Sequence, residues 1–199
     1  MPKGVKKGLP KKQQEKSITK KQIILCNTTR GVQQYLDSLL LRKNGKYDRL
    51  PHYVVSNKGE IHKIISEDMI SSYFTNTDLK NNSIVIALEN NGWLEKIPLK
   101  NEHTNWIGDI YKGEVYEKKW RDYIFWEPYP KELMSGLSDL CKSICNNLNI
   151  NKELIGHNTK IVGVEKFQGI LCKSNISEYY LDVSPAFNFE LFEKLLNDE

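Results

Sequence analysis

The chain has 199 residues, of which 39% are hydrophobic and 10% aromatic, enough for one domain with its own core. Its net charge of +4 is unevenly distributed, because residues 1–22 hold eight lysines and one acid while the remainder is mildly acidic. No run of 18 apolar residues occurs and no apolar stretch follows the first lysines, so we expect neither a membrane span nor a secretory signal, and synthesis in the cytoplasm.

The first 21 residues are rich in Lys, Gln, Pro and Gly and almost lack apolar side chains. Such a composition cannot bury enough surface to fold alone, so we expect a flexible basic tail at 1–21 and a folded domain at 22–199. The tail is either a solubilising arm or an electrostatic contact for a polyanion, such as nucleic acid, an anionic wall polymer or a virion partner. The four cysteines lack disulfide-scaffold spacing and are expected to be reduced thiols.

The first predicted element is a strand in the stretch QIILCNTTR at 22–30. Its apolar run, Ile23–Leu25, is typical of a strand buried on both faces, and it ends abruptly in Cys26 and Asn27. Sites on sheets are often built at such strand ends. A helix over about 31–43, a hairpin over 52–65 and a second buried strand at 83–88 follow.

The second half begins with an aromatic-rich excursion at 93–128, for which we expect a strand or two. Pro130 favours the start of a helix that runs to about Leu148. Its apolar stripe includes Cys141 and Cys145, which are expected in the core. A short strand-like segment then leads to Gly156 and His157, and a last helix spans 189–196. Strands interspersed with helices predict an α/β fold with a mixed central β-sheet flanked by helices.

Two residues of the second half are candidates for metal binding. His157 ends an apolar segment, and Asp182 lies in a Pro-containing turn before the last helix. Taken alone, each is typical of an ordinary loop or cap residue. Taken together at two strand or loop ends, an imidazole and a carboxylate are suitable metal ligands.

The chain presents the following blocks in order: QIILCNTT, a helix, PHYVVSNKGEI, NSIVIALEN, a long helix, Ile155-Gly156-His157 and DVSPAFNFELF. This order resembles the type 2 N-acetylmuramoyl-L-alanine amidases, which are related to peptidoglycan recognition proteins and phage amidase lysozymes. The resemblance covers about residues 22–196 and implies the fold of that family.

The resemblance implies a zinc ion held by three side chains, with a water in the open fourth position. That water attacks the lactyl amide between muramic acid and L-alanine of peptidoglycan. By position, Cys26, His157 and Asp182 match the three ligands, although the family has His where this chain has Cys26. A thiolate is a competent zinc ligand.

Several positions depart from the family pattern. The family's catalytic acid falls on Ala87, and Glu89, on the same face two residues later, could substitute for it only if the strand shifted. A tyrosine used by other members falls on Pro51, and a basic residue before the third ligand falls on Tyr180, whose phenol could donate to an oxyanion. The stretch between His157 and Asp182 is also much longer than in compact members. It contains side chains that could supply a lost group: Lys160, Glu165, Lys166, Cys172, Lys173 and Glu178.

Three functions remain open at this point. The first is a divergent zinc amidase acting on the cell wall, as in a phage or bacterial lytic protein, with Glu89 and Tyr180 in catalysis. The second is a catalytically inactive amidase fold that binds peptidoglycan or a protein partner through the cleft and the excursion. The third is a structural or nucleic-acid-associated protein that works through its lysine-rich tail.

Overall fold

The computed structural model describes residues 19–45 and 47–198. Most of the basic tail predicted at 1–21 therefore lies outside the described residues. The strands are β1 (Gln22–Asn27), β2 (Tyr53–Val55), β3 (Ile61–Lys63), β4 (Ser83–Leu88), β5 (Trp93–Lys96), β6 (His103–Thr104), β7 (Ile110–Tyr111), β8 (Tyr116–Trp120), β9 (Tyr123–Trp126) and β10 (Ile170–Cys172). The helices are α1 (Val32–Leu41), α2 (Thr77–Asn82), α3 (Lys131–Leu148), α4 (Lys173–Ile176) and α5 (Phe189–Asn197).

The central sheet has the strand order β10-β1-β4-β2-β3. The strands β10, β1, β4 and β2 run parallel to one another, and β3 pairs antiparallel with β2, so the predicted mixed α/β sheet is confirmed. Every residue of β1 and β4 is buried, which agrees with their continuous apolar sequences. Burial of each Ile or Leu side chain on these strands contributes about 1.5–3 kcal/mol to folding.

Alternate residues of β1 face two different hydrophobic clusters. Ile23 and Leu25 belong to the cluster that includes α3 and α5, whereas Ile24 and Cys26 belong to the cluster that includes Tyr35 of α1. The sheet is therefore covered by helices on both faces. Cys26 points towards the α1 side of the sheet.

The long helix α3 starts directly after Pro130, as predicted, and ends at Asn149 in the left-handed conformation. Cys141 and Cys145 are buried in its apolar stripe, which confirms them as core residues. The turn between β2 and β3 packs closely on this helix, because a Cβ on Gly59 would lie 2.6 Å from the carbonyl oxygen of Glu132.

The aromatic-rich excursion is a second sheet rather than a loop with a strand or two. Its five short antiparallel strands have the order β7-β6-β5-β9-β8. Trp126 is fully buried, and the Trp93 and Tyr123 rings stack with centroids 4.6 Å apart. Strands of two to five residues are too short to establish a clear alternation of apolar and polar side chains.

The strand that pairs with β1 on this side is β10, and not the short strand-like segment before His157. The segment Leu154-Ile155 forms only an isolated bridge from Leu154 to Ile170, while β10 pairs directly with β1. The segment before His157 thus lies on the outer side of β10. In the part of the chain that the structure describes, no helix is long and apolar enough to cross a membrane.

Candidate functional site

The carboxyl ends of β10, β1, β4 and β2 meet at one edge of the central sheet because these strands are parallel. Asn27 ends β1, Glu89 follows β4, and Lys173 follows β10. The loop before α5 brings Asp182 to the same edge, where its carbonyl oxygen accepts a 2.5 Å hydrogen bond from the Ser174 N–H. This carboxyl edge is the candidate site.

The carboxylate of Asp182 is held by two donors. Its Oδ2 accepts a hydrogen bond from the Asn27 N–H at 3.1 Å and an ion-pair contact from Lys173 Nζ at 3.2 Å. The Asp182 and Lys173 side chains are only 11% and 20% exposed, so water screens this pair weakly. The negative charge of Asp182 is therefore balanced by the positive charge of Lys173 within the protein.

The ammonium of Lys173 also contacts aromatic rings. Its Nζ lies 4.6 Å from the ring centroid of Tyr180 and 5.7 Å from that of Tyr73, distances typical of cation–π contacts. Burial on its own would lower the pKa of Lys173, but the negative charge of Asp182 reverses this and raises the pKa above its ordinary value. The side chain is a stable cation.

Cys26 is fully buried one residue before Asn27. Its Sγ donates to the carbonyl oxygen of Ile86 at 3.5 Å. Burial, and then the nearby charge of Asp182, raise the pKa of the thiol to about 12, although Lys173 acts in the opposite direction. Cys26 is thus a neutral thiol and not a nucleophile in this state.

His157 follows the segment on the outer side of β10. Its ring is exposed, and Nδ1 accepts a hydrogen bond from the Thr159 N–H at 3.2 Å. The side-chain amide of Asn175 donates to the carbonyl oxygens of His157 and Thr159, each at 2.8 Å, and so fixes this loop. Because the segment before His157 pairs with the outer side of β10, that strand separates it from Cys26.

The three predicted zinc ligands are therefore not assembled in this structure. Cys26 and Asp182 lie at the carboxyl edge, but the side chain beside them is Lys173 and not His157. Among the described residues, no group of three or more His, Cys, Asp or Glu side chains could hold a metal ion. The donor set does not fit zinc in this arrangement.

Glu89 joins two backbone segments. Its Oε1 accepts from the Val32 N–H at the start of α1 at 2.9 Å, and its Oε2 accepts from the Asn57 N–H of the β2–β3 turn at 2.7 Å. Both oxygens are thus used to position structure, and the negative charge suits the helix N-terminus. The catalytic role of Glu89 stays a prediction, as does that of Tyr180, whose ring lies against Lys173.

The second sheet contacts the carboxyl edge at two places that the sequence does not indicate. The indole N–H of Trp106 donates to the Thr29 carbonyl oxygen at 2.6 Å, and the Arg30 guanidinium lies 5.2 Å from the Trp106 ring centroid. Arg121, in the β8–β9 turn, donates to the carbonyl oxygen of Tyr180. Trp106 is still 44% exposed and lies on the rim of the edge.

Asn27 belongs to a buried network and not to the ion pair alone. The Tyr129 hydroxyl donates to its side-chain oxygen at 2.9 Å and accepts from the Ser184 N–H at 3.2 Å. This network fixes the loop of Asp182 against β1, because Ser184 is two residues from Asp182. No simple sequence pattern links these three distant residues.

The profile of the N-acetylmuramoyl-L-alanine amidases matches residues 15–168, more than half of the chain. The matched region includes Cys26 and His157 and ends before Lys173 and Asp182. None of the curated proteins matches the chain.

Several solved amidase structures share the fold. The amidase AmiD from E. coli, in complex with the substrate anhydro-N-acetylmuramic acid-L-Ala-D-γ-Glu-L-Lys, has a TM-score of 0.58 and 18% identity, with 96% of this chain and 66% of that chain covered. The amidase LysC from Clostridium intestinale has a TM-score of 0.54 and 13% identity over 91% and 87% of the two chains. AmpDh3 from Pseudomonas aeruginosa, in complex with anhydromuramic pentapeptide, has a TM-score of 0.55 and 10% identity over 98% and 66%. The chain thus spans just under two thirds of the AmiD and AmpDh3 chains.

Proposed function

The chain belongs to the N-acetylmuramoyl-L-alanine amidase family, and on that premise we propose that it binds muropeptides of peptidoglycan at the carboxyl edge of its central sheet. The proposal is supported by the fold shared with AmiD and AmpDh3, both of which are in complex with anhydromuramic peptides. It is carried by one observation at the edge itself, the ion pair between Lys173 and Asp182. That pair favours binding without metal-dependent hydrolysis.

The rim of the edge offers groups that suit a muropeptide. Such a ligand combines a sugar ring with peptide carboxylates. The half-exposed Trp106 ring presents a rigid apolar face, fixed by its hydrogen bond to Thr29. Arg30, next to it, has a planar guanidinium that can hold a carboxylate through two parallel hydrogen bonds.

Zinc-dependent hydrolysis of the lactyl amide is the alternative function, because the family is one of amidases. If zinc is bound, Cys26, His157 and Asp182 are the residues proposed to hold it, and the metal would supply a water of low pKa. This alternative requires the Cys26 thiol to lose its proton, Lys173 to leave Asp182, and the exposed His157 side chain to turn towards them from the outer side of β10. Those requirements make muropeptide binding the better-supported proposal.

The test is calorimetric titration of the natural chain with an anhydromuramyl tripeptide, followed by chromatography of the ligand. We expect binding with no free peptide released. Trp106→Ala and Arg30→Ala should each weaken binding by about tenfold, which corresponds to ~1.4 kcal/mol. Arg42→Ala is the matched control, because Arg42 makes a similar contact with Tyr47 at 5.1 Å in another part of the surface.

Two results would contradict this proposal. If no binding is detected at millimolar concentrations of the muropeptide, the proposed function is wrong. Release of free peptide in the presence of zinc favours the amidase instead.

Two further expectations about partners and location stay predictions. Contact of the lysine-rich tail with a polyanion should appear as salt-dependent binding to DNA that is lost when residues 1–18 are deleted. Association with a phage or virion that acts on the cell wall is consistent with a muropeptide ligand, and it is tested by the presence of the chain in purified particles.

A further inference from the structure

We propose that the ammonium group of Lys173 takes the place that the resemblance assigns to the metal ion. The inference deepens the proposed function, since it concerns the same edge. Its tests measure zinc and stability on the chain alone. A failure of muropeptide binding is therefore distinguishable from a failure of this inference.

Lys173 directly follows the strand that pairs with β1. The register pairs Leu25 of β1 with Cys172 of β10, so the next residues, Cys26 and Lys173, lie side by side at the carboxyl edge. The resemblance places a metal ligand at Cys26 and the next one at the end of a later strand. In the folded chain, the residue that follows the strand beside β1 is Lys173.

Lys173 is closer to Asp182 in the sequence than His157 is. His157 lies 25 positions before Asp182, and Lys173 lies nine positions before it. The long interval after His157 departs from the compact members of the family, whereas the interval after Lys173 is short. The unusual length is therefore explained if Lys173 is at the ligand position and the segment with His157 is an addition before β10.

The ammonium of Lys173 is surrounded by a carboxylate and two aromatic rings. The Asp182 carboxylate lies 3.2 Å from Lys173 Nζ, and the rings of Tyr180 and Tyr73 face it at 4.6 and 5.7 Å. A carboxylate at this edge needs a cation beside it when it is removed from water, and the ammonium group of Lys173 is that cation. A zinc ion at Asp182 would meet a fixed positive charge at close range, which is strongly unfavourable in buried surroundings.

A single substitution should then create a metal site. Lys173→His removes the ammonium and puts an imidazole beside Cys26 and Asp182, a set of ligand types that zinc accepts. We expect the natural chain to contain no zinc after purification from zinc-rich medium. The K173H variant should retain about one zinc per chain, with an increase in thermal stability on zinc addition.

Matched variants separate this site from any other zinc site. Cys26→Ser or Asp182→Asn, each combined with K173H, should abolish the retained zinc, and His157→Ala combined with K173H should not. A natural chain that holds one zinc lost on His157→Ala would overturn the inference. So would a folded K173H protein that stays free of zinc.

A second measurement decides the case if K173H does not fold. Lys173→Met leaves the Asp182 carboxylate without its cation, so the midpoint of thermal unfolding should fall. The double variant Lys173→Met/Asp182→Asn should recover a large part of the loss. If the double variant loses as much stability as the single variants Lys173→Met and Asp182→Asn lose together, the ammonium does not compensate the carboxylate and the inference is overturned.

Discussion

His52 should make the protein sensitive to acid. The ring is fully buried: Nδ1 accepts from the Val85 N–H at 3.0 Å, and Nε2 faces the Met69 carbonyl oxygen at 3.1 Å. These contacts fit a neutral imidazole with its proton on Nε2. Burial, assisted by the positive charge of Lys20, lowers the pKa of His52 from 6.5 to about 3.

The sign of the effect follows from proton binding. Between the unfolded pKa of 6.5 and the folded pKa of about 3, the unfolded state binds a proton that the folded state does not. The free energy of unfolding should therefore fall as the pH is lowered, by about 1.4 kcal/mol per pH unit in this window. At pH 4.5 the accumulated loss from this one group is about 3 kcal/mol.

Urea unfolding between pH 7 and pH 4 measures this loss. The comparison is with His52→Gln, whose amide can accept and donate as the neutral ring does but cannot take up a proton. Both proteins lose stability through other groups, so the difference between the two curves isolates His52. The natural protein should lose stability more steeply below pH 6.5, and parallel curves would refute the reasoning.

Two further substitutions test the account of the fold. Glu89→Gln should lower the free energy of unfolding by about 1–3 kcal/mol in urea titrations. The substitution removes the charge that supports two backbone hydrogen bonds, one at the start of α1 and one in the β2–β3 turn. An unchanged free energy of unfolding would contradict this role of Glu89. Gly136→Ala should destabilise the protein several times more than Gly156→Ala. A Cβ at Gly136 would clash with the backbone of Gly59, whereas a Cβ at Gly156 has open space. Equal effects of the two substitutions on the melting temperature would disprove the close approach of Gly136 to Gly59.

The elements that could be predicted from the sequence are those with long, unambiguous patterns. The apolar runs of β1 and β4 and the helical stripe of α3 are strong signals, because they lie in elements of 6, 6 and 18 residues. The second sheet could not be predicted in detail, since its strands are only two to five residues long. β10 has only three residues, too few to establish a pattern.

The candidate site could be predicted only in part from the sequence. A strand end at Cys26 and a turn at Asp182 are visible in the sequence, and the structure brings both to one edge. The contact of Lys173 with Asp182 depends on the register between β10 and β1, which no local pattern specifies. Without that register, Ile155-Gly156-His157 is the better local match to the family, and the lysine is one of several charged residues in a long loop.

The central claim is that this amidase-family chain recognises muropeptides without a metal ion. The most direct test is titration of the natural chain with an anhydromuramyl tripeptide, once in the presence of a chelator and once with added zinc, with analysis of the ligand afterwards. The account predicts the same dissociation constant in both conditions and an intact ligand. Binding that needs zinc, or free peptide that appears only when zinc is added, would contradict it.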